Sequence, residues 1–295
     1  MPSSPEIPSS TKIQNVRAFG STGRPVSSVG QGTWRSDESS SAPAVAALRR
    51  GLDLGMTHID TAEMYGSGAA ESLVAAAIAG RRDEVFLVSK VLPSNASRRG
   101  TIAACEKSLA KLKTDRLDCY LLHWRGSYPL EETIAAFATL VEAGKILSWG
   151  VSNFDVDDLD EVASIAGEGH PVCNQVLYHL KERAIEHAVV PWCEKHGTAV
   201  VAYTPFGQTP AMYTASSTEA KVLQSVAATH AATPRQVALA FLLRRPNHFV
   251  IPKATSVAHV NENAAAAHLA LSDEELARID AAFPRGKPRR GLPMI

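Results

Sequence analysis

Asp60, Tyr65, Lys90 and His123 are a carboxylate, a phenol, an amine and an imidazole, the side-chain types that give, take or steer a proton in catalysis. Three of them close or follow a short apolar run: Asp60 comes after THI, Lys90 after VFLVS and His123 after CYLL, and Tyr65 lies in the AEMYG stretch just beyond Asp60. Taken singly, each has a simpler reading. Asp60 before Thr61 suits a helix cap or turn, Lys90 a solvated strand end, His123 a satisfied core histidine and Tyr65 a packed aromatic. Lys90 alone would also suit the Schiff-base lysine of a lyase or aldolase. There is no G-x-S-x-G, H-E-x-x-H or Walker A loop to suggest a serine hydrolase, a zinc protease or a nucleotide triphosphatase. Gly66–Glu71 (GSGAAE) lacks the third glycine of a dinucleotide loop and reads as the lead into a helix. Only their conjunction points to chemistry, and it depends on what the chain does to bring these residues together.

The elements alternate. Lys12–Phe19 and Val26–Thr33 flank the turn-like GSTGRP and read as a hairpin or two short strands. Strand-length apolar runs follow at Thr57–Ile59, Val85–Ser89, Leu117–Leu122, Ile146–Val151, Val172–Val176, Ala199–Ala202 and Phe249–Ile251. Helical patterns intervene at Ala44–Leu54, Ala69–Ala79, Thr101–Leu112, Glu131–Ala143, Val156–Ile165, Ile185–Cys193 and Pro234–Arg244, the last with Thr233 as N-cap. Alternating β and α units imply parallel strands, and their continuous apolar character implies burial on both faces. About eight units in about 250 residues predict a closed (β/α)8 TIM barrel, an α/β fold, with an N-terminal hairpin. Ser272–Phe283, with Ser272 as N-cap and acidic residues in its first turn, predicts an extra C-terminal helix. Residues 1–10, rich in Pro and Ser, read as a disordered tail, and 11–295 as one domain.

In such a barrel the strand C-termini share one face, where barrel enzymes place their sites. Trp34, Asp60, Lys90, His123, Ser152 with Asn153, Gln175, Tyr203 and Lys253 close or follow the eight successive strands. A purely structural barrel gives no reason for a polar or aromatic residue at every one of these positions. Composition adds exclusions. The 295 residues carry 30 basic and 30 acidic side chains, so the chain offers no electrostatic footprint for nucleic acid or an anionic membrane. No signal peptide or membrane-spanning run is visible, the four cysteines form no C-x-x-C pair, and the expectation is a cytoplasmic protein with no metal.

Seven segments in order make the chain resemble the aldo-keto reductase superfamily: GMTHIDTAEMYG (55–66), LVSKV (87–91), LLHW (121–124), GVSNF (150–154), NQVLYH (174–179), AYTPFG (202–207) and IPK (251–253). Within it the run looks closest to small bacterial reductases of methylglyoxal and similar aldehydes. The resemblance implies an NADP-dependent enzyme reducing small aldehydes and ketones, with Asp60, Tyr65, Lys90 and His123 as a catalytic tetrad. Tyr65 would donate the proton, and Lys90 would lower its pKa from the ordinary value near 10. Asp60 would hold Lys90, and His123 would orient the substrate oxygen.

The same resemblance implies that Tyr203 stacks on the nicotinamide, while Ser152, Asn153 and Gln175 bond its carboxamide. Gly32 and Thr33 would admit the backbone close to the ribose and pyrophosphate, and Thr204, Pro205, Phe206 and Ala254 would complete the cofactor contacts. Lys253, backed by Thr255 and Ser256, would meet the 2′-phosphate, with Glu262 and Asn263 at the adenine. His259 stands where many members carry an arginine and grips phosphate less well, so NAD(H) is expected as a weaker alternative. Leu177 and Leu180 stand where Glu and Pro are common. Trp34 and Trp124, with Tyr65 and His123, are the expected substrate contacts, and a monomer is expected. The rival reading is a nicotinamide-binding regulatory barrel with little catalysis, which the loss of any tetrad residue would favour.

Overall fold

The computed structural model describes residues 15–36, 41–208, 213–289 and 291–295; the expected tail at 1–10 and the start of Lys12–Phe19 lie outside them. Eight parallel strands form one sheet in sequence order: β3 (Gln31–Gly32), β4 (His58–Asp60), β5 (Phe86–Val91), β6 (Cys119–Leu122), β7 (Trp149–Ser152), β8 (Cys173–Leu177), β9 (Ala199–Tyr203) and β10 (His248–Val250). Parallel bridges between Val29 and Val250 and between Gly32 and Lys253 join the two edges, supported by Gly30 N–H to Val250 O and Gly32 N–H to Pro252 O. The sheet is therefore a closed barrel without a free edge. A side chain at Gly32 would place its Cβ 2.6 Å from Ile251 O, so glycine is what allows this seam to close.

Helices α1 (Ser41–Asp53), α2 (Ala69–Ile78), α3 (Arg98–Leu112), α4 (Leu130–Glu142), α5 (Val156–Ala166) and α6 (Val189–His196) follow β3 to β8 in turn. Every residue of β5, β6, β7 and β8 is buried, because their outward side chains meet the helices and their inward ones fill the barrel. The inner layer includes Phe86, Val88, Cys119, Leu121, Cys173, Val201 and Phe249. All four cysteines are buried and unpaired.

The N-terminal segment departs from expectation in detail. Val26–Thr33 is not one strand. β2 (Pro25–Ser27) pairs antiparallel with β1 (Val16–Ala18) as a hairpin, and the chain then enters the barrel as β3. The hairpin lays Phe19 across the barrel floor, with ring centroids 4.7 Å from Phe86, 5.0 Å from Phe249 and 5.8 Å from His58.

Two helices are present that the apolar patterning did not mark. α7 (Thr218–Thr229) precedes α8 (Pro234–Leu242) in the β9–β10 crossover, and α9 (Val257–Ala265) follows β10. Both are rich in alanine, which propagates a helix without a strong apolar stripe. Their caps are local: Ser217 accepts from Ala220 N–H and Ser256 from His259 N–H. The expected caps hold elsewhere. Thr233 and Gln236 form a capping box for α8, as Ser272 and Glu275 do for the extra helix α10 (Asp273–Ala282). Among the described residues no helix is long and apolar enough to cross a membrane.

Candidate active site

Asp60 ends β4 and Lys90 lies near the end of β5, its neighbour in the sheet, so both side chains are delivered to the C-terminal mouth of the barrel. The Lys90 side chain is completely buried, and the ammonium donates to three oxygens: Asp60 Oδ1 at 2.6 Å, Thr61 O at 2.9 Å and Tyr65 Oη at 3.2 Å. Its donors are thus matched to acceptors, as a buried ammonium requires. The second oxygen of Asp60 accepts from Gln175 Nε2 at 2.7 Å, from the opposite side of the barrel.

Tyr65 reaches Lys90 because the chain behind it is unusually coiled. Gly66, Ser67 and Gly68 all have positive φ, at 54°, 53° and 90°. Lys111 of α3 donates to Ser67 O, and Gly68 lies against the Lys111 side chain where any Cβ would collide. His123 follows β6 with its backbone N–H on Val91 O at 3.0 Å, and its ring stands edge-on to Tyr65 at 5.8 Å between centroids.

The electrostatics follow from this burial. For Lys90, burial pulls the pKa down, but Asp60 and Tyr65 together outweigh it and leave it raised. For Asp60, burial pushes the carboxyl up, against Lys90 and Gln175, which favour its charged form. Tyr65 differs from expectation. Burial raises its pKa, with Asp60 adding to the rise, and the opposing pull of Lys90 does not reverse it. The hydroxyl lies deep beside Lys90, so the phenol keeps its proton in this state.

Burial, aided by Lys90, also lowers His123 to about 2, so the imidazole beside Tyr65 is neutral. His58 beneath the site is lowered to about 3 by burial and then Lys90, against Asp118; burial lowers His248 to about 3 as well. All three refuse protons that an unfolded chain accepts below its ordinary histidine pKa near 6.5. Their contribution to stability is complete above that pH and is lost as pH falls from about 6.5 towards 3, at up to about 1.4 kcal/mol per unit for each. The melting temperature of His58→Leu should therefore fall less steeply than the parent's between about pH 6.5 and 4.5. Parallel slopes would show that His58 is not held neutral.

Asp60, Tyr65 and His123 face a pocket with about 780 Å³ of empty space. It gathers Gly32, Thr33, Trp34, Asp60, Tyr65, His123, Trp124, Ser152, Asn153, Gln175, Tyr203, Thr204 and Lys253. Asn153, at φ 61°, donates to His123 O at 3.1 Å and Ser152 Oγ at 3.1 Å, and accepts from the Tyr203 hydroxyl at 2.9 Å. That last bond tethers the Tyr203 ring at the pocket wall. Ser152 Oγ donates to Gln175 O at 2.8 Å.

The remaining expected cofactor residues do not line this pocket. Pro205 is buried, and Phe206 lies under the Arg235 guanidinium at 4.9 Å. Ala254 packs on the core, Asn263 is buried, and Thr255, Ser256 and exposed His259 lie around the start of α9. Glu262 accepts from Thr233 Oγ1 at 2.6 Å and is 3.4 Å from His259 Nδ1, so it links the starts of α8 and α9. Leu177 and Leu180 are both buried.

Met64, Ile251, Met294 and Ile295 line the pocket without having been expected there. The last two arrive because the segment after α10, although largely exposed, is tied down at several points. Arg289 pairs with Glu182 at 3.1 Å, Gly291 N–H donates to Asp155 Oδ2 at 3.0 Å, and Leu292 packs on the core. The apolar GLPMI after a polar stretch was the available signal.

A closed (β/α)8 barrel with an Asp–Lys–Tyr chain and a neutral histidine at its C-terminal mouth defines a class. The Aldo/keto reductase family model matches residues 28–283, and the chain belongs to that family. It is similar to methylglyoxal reductase YeaE of Escherichia coli (strain K12), 46% identical over 269 residues, covering 90% of this chain and 94% of the relative. Among solved structures, an aldo/keto reductase from Klebsiella pneumoniae in complex with NADP and acetate is 43% identical with a TM-score of 0.90, covering 96% of this chain and all of that one. An aldo-keto reductase from the same organism in complex with NADPH gives a TM-score of 0.89 at 43% identity, over 95% of this chain and 99% of that one.

Proposed function

We propose that this protein uses NADP(H) to reduce small aldehydes and ketones, 2-oxoaldehydes among them, to alcohols, with Tyr65 as the proton donor. The observation that carries the reading is the buried chain from Asp60 through Lys90 to Tyr65, opening into a pocket walled by Trp34, Trp124, Met64 and Met294. The similarity to a methylglyoxal reductase and to NADP-bound and NADPH-bound structures supports it.

The pocket suits a nicotinamide. Tethered Tyr203 offers a ring face, and Ser152, Asn153 and Gln175 offer hydroxyl and amide groups beside it. Gly32 exposes bare backbone along the same wall. Lys253, exposed at the seam with Gly32, would take the 2′-phosphate, with Thr255 and Ser256 nearby; Glu262 and Asn263 would flank the adenine.

The dihydronicotinamide, when bound, supplies the hydride to the carbonyl carbon. Tyr65 then releases its proton to the carbonyl oxygen as negative charge develops there. Lys90 stabilises the phenolate left behind, Asp60 holds Lys90 in place, and neutral His123 donates a hydrogen bond to the oxygen. Solvent returns the proton to Tyr65. The apolar walls favour compact carbonyl compounds over polyhydroxylated ones.

The test is NADPH consumption with methylglyoxal, nitrobenzaldehyde, glyceraldehyde and a simple ketone, repeated with NADH. Turnover is expected with the aldehydes and NADPH, more weakly with NADH. Lys253→Met should raise the KM for NADPH by about 10–100-fold, the value of a charge-assisted hydrogen bond, and that for NADH far less. Equal weakening of both would remove Lys253 from the phosphate. Tight NADPH binding without reduction of any carbonyl would refute the activity.

A further inference from the structure

Gln175 does more than line the cofactor pocket. Its side chain is buried on β8, and its amide nitrogen lies 2.7 Å from Asp60 Oδ2, across the barrel from the strand that carries Asp60. A carboxylate oxygen only accepts, so the atom facing Asp60 must be the amide nitrogen. Asp60 Oδ1 is occupied by Lys90 at 2.6 Å, which leaves Gln175 as the donor fixing the other oxygen.

The two bonds together determine the plane of the Asp60 carboxylate, and hence the line along which Lys90 approaches Tyr65. Gln175 is itself fixed at both ends: its backbone carbonyl accepts from Ser152 Oγ at 2.8 Å and from Asn153 N–H at 2.9 Å. The titratable groups around Asp60 are Lys90 from β5, Tyr65 from the loop after β4 and Cys173 on β8 itself. Lys90 is the cation among them, and Gln175 is the side chain that favours the charged form of Asp60 without adding charge.

We propose that Gln175 is a positioning residue of the proton-donating chain, holding the Asp60 carboxylate so that Lys90 stays directed at Tyr65. The inference rests on the reductase reading above, and it extends the part of Gln175 beyond contact with a carboxamide. One consequence follows for the pocket. With its nitrogen turned to Asp60, the amide meets a ligand with its carbonyl oxygen, and so selects an N–H donor.

The experiment uses Gln175→Met and Gln175→Glu, in full-length protein checked by circular dichroism. In the cofactor-free protein, the infrared carboxylic-acid band that disappears in Asp60→Asn is titrated with pH. In Gln175→Met that band should titrate about one pH unit higher than in the parent, the equivalent of one lost hydrogen bond to a charge. The acid limb of kcat for carbonyl reduction should move the same way. In Gln175→Glu two carboxyls face each other and share a proton. The protonated new acid donates to Asp60 as the amide did, so kcat should recover towards the parent value as pH falls, and Gln175→Met should not recover.

A role limited to the cofactor would instead weaken NADPH binding, read by fluorescence quenching, with the infrared titration and the pH profile unmoved; that result overturns the proposal. If Gln175→Met does not fold, absence of low-pH recovery in Gln175→Glu overturns it equally. Because the infrared measurement needs neither cofactor nor turnover, failure of this inference is separable from failure of the reductase reading.

Discussion

Tyr65→Phe should lower kcat for aldehyde reduction by about 10³-fold, within the range that a positioned general acid contributes, while NADPH affinity and melting temperature change little. The structural reason for so clean a loss is the hydrogen-bond pattern. The Tyr65 hydroxyl is held by Lys90 Nζ at 3.2 Å, and when it is removed Lys90 still donates to Asp60 and Thr61 O. The buried ammonium therefore keeps two oxygens, and the fold has little to lose. The proton source is gone, and His123 cannot replace it: with its pKa lowered to about 2, it carries no ionisable proton to give at neutral pH. Steady-state kinetics, fluorescence titration with NADPH and thermal melting of the one variant decide the matter. Near-normal turnover would sink the assignment of Tyr65.

Lys90→Met should have the larger effect on stability. Lys90 and Asp60 are both buried, their side chains exposed by 0% and 2%. Removing the ammonium strands the Asp60 carboxylate with Gln175 as its hydrogen-bond partner, and breaking a buried pair from one side costs about 3–5 kcal/mol. For a chain of this size each kcal/mol moves the melting temperature by roughly 2–4 °C, so a fall of roughly 10 °C is expected. Burial already raises the Asp60 pKa, and without Lys90 the carboxyl will take a proton more readily still. The deficit should accordingly shrink as pH is lowered. The double variant Lys90→Met/Asp60→Asn, which has no stranded charge, should regain most of the lost stability yet none of the activity. If Lys90→Met melts with the parent at neutral pH, the ion pair is not the buried, charged unit described above.

These outcomes bear on how the site is built. Asp60, Lys90 and Thr61 belong to strand ends that the sheet places side by side. Tyr65 is brought in by three consecutive residues with positive φ, and Gln175 comes from across the barrel. The rigid part holds charge, and the looped part carries the proposed proton donor.

Much of this was legible in the residues alone. Apolar runs of strand length and the helical patterns between them predicted the barrel, because strand burial and helix capping are decided by neighbours close in sequence. Asp60, Lys90 and His123 could be set at one mouth for the same reason: parallel strands put their C-terminal ends on one face. Ser272 and Thr233 announced their helices by cap chemistry that needs no tertiary contact.

What tertiary structure decided were relations between distant segments. The Gln175–Asp60 bond joins residues 115 apart, and no pattern in either strand announces it. Val26–Thr33 divides because its first part pairs with β1 and its last part with β4, a choice of partners invisible in an apolar run. Met294 and Ile295 enter the pocket because Arg289 and Gly291 find Glu182 and Asp155 on other loops. The pKa of Tyr65 moved opposite to the expectation drawn from Lys90 alone. Proximity to a charge can be inferred from motif order, whereas the loss of water around a hydroxyl depends on everything packed against it.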